Sequence, residues 1–357
     1  MGAGIFIPSI RAAIRILFDG RERSRAFSTL GVTIGASTAL GPLLGGILVQ
    51  YFGWPSIFYV NIPIGVFIVP FAIRHLPKLQ YHGKRHGLDP VGVVILTAGL
   101  VLLLFPLVQG ESSNWPYWVW LMFGGSLISF IALWIWESKQ QRSGIEPVVP
   151  PNMFKNRHFA AGTFMSVFYF ASFTSIFFIV SLLWQNGLHK SALETGLTIL
   201  PFALASMASS SQSHKFSHSL GRNVLFIGCG LMALGLFGYL AVLLIAGTNV
   251  NIWLLIAPFI IAGAGNGLVI APIQDFVIAS VERQRVGTAS GIFSTAQRIG
   301  SAIGIAVLGT IFFMVIRHDH SGSAASFVNA ATITAYINIA LIFIALFLIF
   351  TLPKKAD

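Results

Sequence analysis

Charge is scarce in this sequence. Of its 357 residues only 9% are Asp, Glu, Lys or Arg, and 55% are hydrophobic, whereas an ordinary soluble domain carries roughly 25% charged residues. No charged residue at all occurs between Arg25 and Arg74, between Arg222 and Asp275, or between Asp319 and Lys354. A bilayer span takes roughly 20 apolar residues, so each stretch holds more than one span, and a soluble globular protein is excluded. The apolar runs are continuous and do not alternate with period two, which excludes a β-barrel. Cysteine is reduced to Cys229, inside an apolar run, so an intramolecular disulfide is excluded and nothing is indicated about compartment. A Walker A string is missing, so ATP-driven export is not indicated. The histidine pairs His82/His86, His214/His218 and His318/His320 lack the cysteine or acid that would complete a metal set. They read as solvated loop residues, and no enzyme activity, cofactor or metal is expected.

Basic residues are what remains, giving a net charge of +11. A nucleic-acid binder gathers such residues on one face; here they sit in short gaps between apolar runs, which points to anionic membrane lipids and to topology. Cutting the chain at those gaps gives eleven expected spans: 1–18, 26–50, 56–73, 88–109, 115–136, 158–184, 192–213, 223–247, 252–281, 287–316 and 331–352. The fold class is therefore all-α, a polytopic integral membrane protein. Gly and Pro, 36 and 16 of them, fit such helices, whose neighbours satisfy freed backbone groups.

Alternate gaps differ sharply in Lys and Arg. One set holds seventeen, including Arg21, Arg23, Arg25, Arg74, Lys84, Lys139, Lys215, Arg283 and Lys354; the other holds Lys190 and Arg317. The positive-inside bias makes the richer set cytoplasmic and predicts a cell-membrane protein with a cytoplasmic C-terminus. An odd helix count then places Met1 outside, without a basic flank or a signal-peptide pattern. The expectation is a chain that forms the C-terminal portion of a longer protein, a genuine eleven-helix protein being the alternative.

A weak repeat points to two parallel halves. Gly41 and Gly45 follow Arg25 by 16 and 20 residues, and Gly300 and Gly304 follow Arg285 by 15 and 19. Ser37, Gly41 and Gly45 are spaced by four, so one helix face has almost no side chains and a neighbour's backbone is expected to approach it; Pro42 bends the helix beside that face. A plain packing seam explains the glycines alone but not the whole string Gly35-Ala-Ser37-Thr-Ala-Leu-Gly41-Pro42-Leu-Leu-Gly45-Gly46.

That string resembles the antiporter motif of the fourteen-span drug:proton antiporter branch of the major facilitator superfamily, with Ser37 in place of a glycine. Trp54, Ile57, Phe58, Asn61, Pro63 and Gly65 are similar to the opening of that branch's next helix, from which Pro55 and Ser56 depart. Asp89 and Gly92 match an Asp-x-x-Gly opening, and Asp89 is also expected to cap its helix, with Pro90 in the first turn. Gly187 to Pro201, and Arg285 to Gly304, resemble later segments of the branch. The resemblance implies the major facilitator fold, with this chain equivalent to helices four to fourteen. It implies that residues 1–73 are the remainder of an N-terminal bundle, 74–157 two linker helices with cytoplasmic loops, 158–352 a C-terminal six-helix bundle and 353–357 a cytoplasmic tail. It also implies secondary transport, with protons and small lipophilic substrates as partners and export as the direction, with a truncated, transport-inactive chain as the alternative. The family's gating loop and fourth-helix arginine are absent, and His214 to Arg222 keeps only Gly221 and Arg222 of the second-half equivalent.

Asp275 is the single acid well inside an expected span, and intramembrane acids are functional candidates by default. It is read as a coupling site or as a structurally paired or solvated group, with Arg298 as the expected partner; Arg11 and Arg15 are expected to snorkel. In the span 158–184, Phe168, Tyr169, Phe173, Trp184 and Gln185 are candidates for the wall of a substrate cavity, an aromatic stripe facing lipid being the alternative. Five tryptophans from Trp115 to Trp136 read as an interfacial belt.

Overall fold

A computed structural model of the chain describes residues 17–75, 89–110, 115–142, 149–279, 285–319 and 323–352, with residues 10, 13, 14 and 281 besides. Among the described residues every regular element is helical. In chain order these are α1 (Gly20–Phe52), the short α2 (Ser56–Tyr59), α3 (Asn61–His75), α4 (Pro90–Gln109), α5 (Tyr117–Arg142), α6 (Arg157–Leu182), α7 (Ala192–Leu220), α8 (Asn223–Ala246), α9 (Ile252–Ala279), α10 (Val286–His318) and α11 (Ala324–Ile349). Nine helical segments among them are long and apolar enough to cross a bilayer, and each coincides with an expected span. The expected span 26–50 is helical within α1 but is not one of the nine. The expected span 1–18 lies mostly outside the described residues, as do the basic residues of the gap 76–88.

Polar side chains set the helix starts. Asn156 Oδ1 accepts from the His158 and Phe159 N–H groups at the head of α6, and Ser191 with Glu194 closes a reciprocal capping box on α7. Ser323 caps α11, so that helix begins at Ala324 and not at 331, where the expected span starts. At the other ends, Gly221 (φ 55°) and Gly247 (φ 52°) take left-handed backbone that a side chain would strain, which lets α7 turn into α8, and α8 into α9, within a few residues.

One large buried apolar cluster runs through α6 to α11 and includes Met165, Tyr169, Trp184, Met232, Phe276 and Phe312. Helix α9 packs on α7 and α8, α6 on α10 and α11, and α8 on α11. The pair α4–α5 meets this group through α4 and α10, and α1 lies along α7 and reaches α9. The segment Ser56–Arg74 has no buried residue. Lipid is as apolar as leucine, so close backbone approach and hydrogen bonds must hold such helices together. Gly300 and Gly304 on α10 show it: a Cβ there would lie 2.4 Å from Val167 O and 2.2 Å from Ala171 O of α6.

Candidate functional site

Helix α1 packs along α7 and reaches α9 of the six-helix group α6–α11, and its two ends are built differently. Near its start, Arg23 Nε donates to Asp275 Oδ1 of α9 at 3.0 Å, both side chains being 6% exposed. One turn on, Phe27 is buried with Ile278 and Val286. Ser28 Oγ donates to the Ser210 carbonyl of α7 at 2.5 Å, and a Cβ on Gly31 would meet Ser210 Oγ at 2.2 Å and Ala271 Cβ at 3.0 Å. This end is tightly packed and joined by a buried ion pair. The expected partner of Asp275 was Arg298, and the structure corrects this: Arg298 lies on the exposed side of α10, whereas Gln297 and Gly300 face inward.

Toward Phe52 the same helix borders a pocket of about 410 Å³. Gly45, Gly46 and Val49 of α1 form one wall, Phe177, Ser181 and Gln185 another, and the first turns of α7 a third. Gln185 gets there by a local irregularity. The end of α6 widens into a π-helical turn, Leu183–Gly187, closed by Leu188 N–H donating to Leu183 O at 2.9 Å. That turn buries Trp184 and leaves Gln185 exposed at the pocket. π-bulges of this kind occur frequently at functional sites.

Between the two ends run an aromatic track and a polar relay. Tyr169 stacks with Phe173 at 6.4 Å, Phe173 meets Phe177 edge-on at 5.2 Å, and Phe177 meets Phe202 of α7 at 4.9 Å. Residues 169, 173 and 177 are one helical face, and the track ends at the pocket. The Tyr169 hydroxyl donates to Asn266 Oδ1 of α9 at 2.7 Å, and Asn266 Nδ2 donates to Ser206 Oγ of α7 at 2.8 Å; all three residues are buried. Three helices thus share one buried polar chain, which fixes their register in a low-dielectric interior.

Of the expected cavity residues, Gln185 lines the pocket, Phe173 stands in the track behind it, Tyr169 and Trp184 are buried, and Phe168 is half-buried. The small-residue face of α1 is rotated from the one expected. Gly46 makes the close approach, with a Cβ position 3.3 Å from Leu193 Cα, and Gly31 makes the other. Ser37 and Gly41 are exposed, and a Cβ on Gly41 or Gly45 would meet nothing within 4 Å among the described residues. The surroundings of Gly35 and Pro42 lie outside the described residues. Trp54 and Phe58 are exposed and pack edge-on at 6.3 Å; Asn61, Pro63 and Gly65 lie on the same unburied segment, where Asn61 Nδ2 donates to Ile57 O. Asp89 caps α4 as expected, accepting from Gly92 N–H at 2.9 Å and from Trp136 Nε1 at 2.9 Å. Position 92 has no room for a side chain, since a Cβ there would sit 2.5 Å from Asp89 Oδ2 and 3.0 Å from Glu137 Oε1.

Sequence reasoning missed Arg23, Asn266, Ser206 and Phe202. Arg23 stands among loop arginines, and a polar amide in an otherwise apolar run, as at Asn266 and Asn338, is the usable signal.

The family model described as Major Facilitator Superfamily matches residues 1–91 and 89–305. The chain is 33% identical over 334 residues to a probable actinorhodin transporter of Streptomyces coelicolor, an alignment covering 89% of this chain and 56% of that protein. It is 28% identical over 319 residues to a multidrug transporter of Bacillus subtilis, covering 87% and 56%. It is 26% identical over 307 residues to a tetracenomycin C resistance and export protein of Streptomyces glaucescens, covering 85% and 55%. The chain spans about half the length of these curated relatives. With nine apolar spans and a family match over most of its length, this multi-pass membrane protein belongs to the Major Facilitator Superfamily, a family of transporters and not of enzymes.

Proposed function

We propose that the protein takes part in proton-coupled export of lipophilic compounds by alternating access, with α1 to α3 on one side of the central cleft, α6 to α11 on the other and α4–α5 as the linker pair. The observation that carries this reading is the asymmetry of α1: a sealed, ion-paired contact at one end and a pocket at the other. The positive-inside bias orients the Arg23 end toward the cytoplasm, so the pocket would open outward. Asp275 is then the coupling acid. Protonating it removes the charge that holds Arg23 and leaves a buried guanidinium unpaired, which favours separation at the cytoplasmic end. The relatives above, a probable actinorhodin transporter, a tetracenomycin C resistance and export protein and a multidrug transporter, support the substrate class.

Two measurements test this. Lys190 and Lys215 stand near opposite ends of α7, so in a Cys229→Ser background Lys190→Cys should react with an impermeant maleimide from outside and Lys215→Cys from the cytoplasmic side only. The reverse pattern overturns the orientation. Inverted membrane vesicles containing the protein should accumulate a lipophilic probe when acidified inside, and a protonophore should abolish the accumulation. Uptake equal to that of protein-free vesicles, across both a cationic and an uncharged probe, overturns the transport reading.

A further inference from the structure

Among the described residues, the lining of the pocket beside Gln185 holds no ionisable side chain. Its apolar surface comes from Val49, Ile57, Phe177 and Ile199, and its polar groups, Ser181, Gln185 and Thr195, are all neutral. The nearby acid on α7, Glu194, is already engaged. It accepts from Ser191 N–H at 2.9 Å, lies 3.4 Å from Lys190 Nζ, and projects from a different side of the helix than the lining residues Ala192, Thr195 and Gly196. Asp275 is bound to Arg23 near the opposite end of α1.

A permanent cation entering this pocket would lose its hydration without meeting a counter-charge, and buried charges are tolerated when paired. Phe177 offers one ring face or edge, and a single cation–π contact is a weaker substitute than a carboxylate. An uncharged flat molecule meets the opposite balance. Its rings lie against the apolar walls, the bare position at Gly45 leaves room for close approach, and its carbonyl or hydroxyl oxygens face the Gln185 amide and the Ser181 hydroxyl, the Thr195 hydroxyl being already donated to Ser191 O. A volume of about 410 Å³ is in the range of small-molecule sites. The π turn adds a second, independent observation: without its extra residue Gln185 would not stand at the pocket in this register.

We propose that this pocket selects uncharged, planar lipophilic molecules bearing hydrogen-bonding oxygens and discriminates against permanent organic cations, with Gln185 as the residue that sets this preference. The proposal rests on the export reading for the pocket's role as a substrate site, but its test is a binding test. Equilibrium dialysis of the purified protein in detergent compares an uncharged hydroxyanthraquinone with tetraphenylphosphonium. The wild-type protein should bind the anthraquinone at least tenfold more tightly. Gln185→Glu should strengthen phosphonium binding about tenfold or more and weaken anthraquinone binding several-fold, while Gln185→Leu should weaken the anthraquinone alone. Val49→Trp, which fills the pocket, should remove binding of both. Equal or tighter phosphonium binding by the wild type, no gain with Gln185→Glu, or no binding of either probe overturns the proposal. Should proton-driven uptake fail while the binding preference and its Gln185→Glu reversal hold, the export reading falls and the pocket's chemistry stands; uptake that favours the cation and ignores Gln185 does the converse.

Discussion

Asp275→Asn should open the Arg23 end of α1 to water and abolish proton-linked transport. The ion pair is almost fully buried on both sides, and removing one member of such a pair costs about 3–5 kcal/mol because the other charge is left without compensation. A contact weakened by that much shifts a two-state equilibrium by more than a hundredfold. The readout is a cysteine at position 28, which in the intact protein is buried against Ser210 and Ser213. With Asp275 present, Ser28→Cys should resist maleimide applied from the cytoplasmic side; with Asp275→Asn it should react readily. Arg23→Leu combined with Asp275→Leu should restore protection, because a well-packed apolar pair often replaces a buried ion pair without loss, yet transport should stay uncoupled from protons. Equal labelling in the single variant and the parent protein would remove the latch from the mechanism. Recovery of proton-driven transport in the double variant would remove Asp275 from coupling.

Asp275 itself was legible in the sequence, since an acid in a span stands out against apolar neighbours. Its partner was not. Arg23 lies 252 positions away, beside Arg21 and Arg25 in what reads as an ordinary basic loop, and nothing local says which of the three points inward. Arg298 was the reasonable expectation from depth alone, but depth along a helix does not give the face. The same limit explains α1. A spacing of four identified a helix with a bare stripe; among the described residues the close contacts fall at Gly31 and Gly46, which meet α7, and not at Ser37 and Gly41. When glycine, serine and threonine make up ten of the 25 residues 26–50, several faces are bare and composition cannot choose between them. The spans were legible because each long apolar run must be a membrane-length helix. The π turn was invisible, as Leu-Trp-Gln-Asn-Gly would equally close an α-helix, and with it the placing of Gln185.

Gly304→Leu should be strongly damaging, and Gly230→Leu a mild substitution. A Cβ at Gly304 would lie 2.2 Å from Ala171 O and 2.6 Å from Ala171 Cα, so it meets backbone that cannot rotate away. Helices α6 and α10 would have to separate along the face that Gly300 shares. Even one inserted methyl in a tight contact costs about 1–3 kcal/mol; a leucine adds three more heavy atoms at the same point. In a bilayer no hydrophobic force draws apolar helices back together, so the lost contact is not recovered elsewhere. At Gly230 of α8 a Cβ meets nothing within 4 Å, and replacing a mid-helix glycine removes a propensity penalty of about 0.8–1 kcal/mol. Thermal unfolding in detergent, followed by loss of the monodisperse size-exclusion peak, should show Gly304→Leu falling by ten degrees or more, or failing to accumulate, with Gly230→Leu at or above the parent. Gly304→Ala separates space from helix propensity: it should still lower the midpoint, although alanine is the better helix former. A Gly304→Ala protein as stable as the parent would mean that α6 and α10 do not approach at this point, and the glycine pair would lose its role as the seam of the six-helix group.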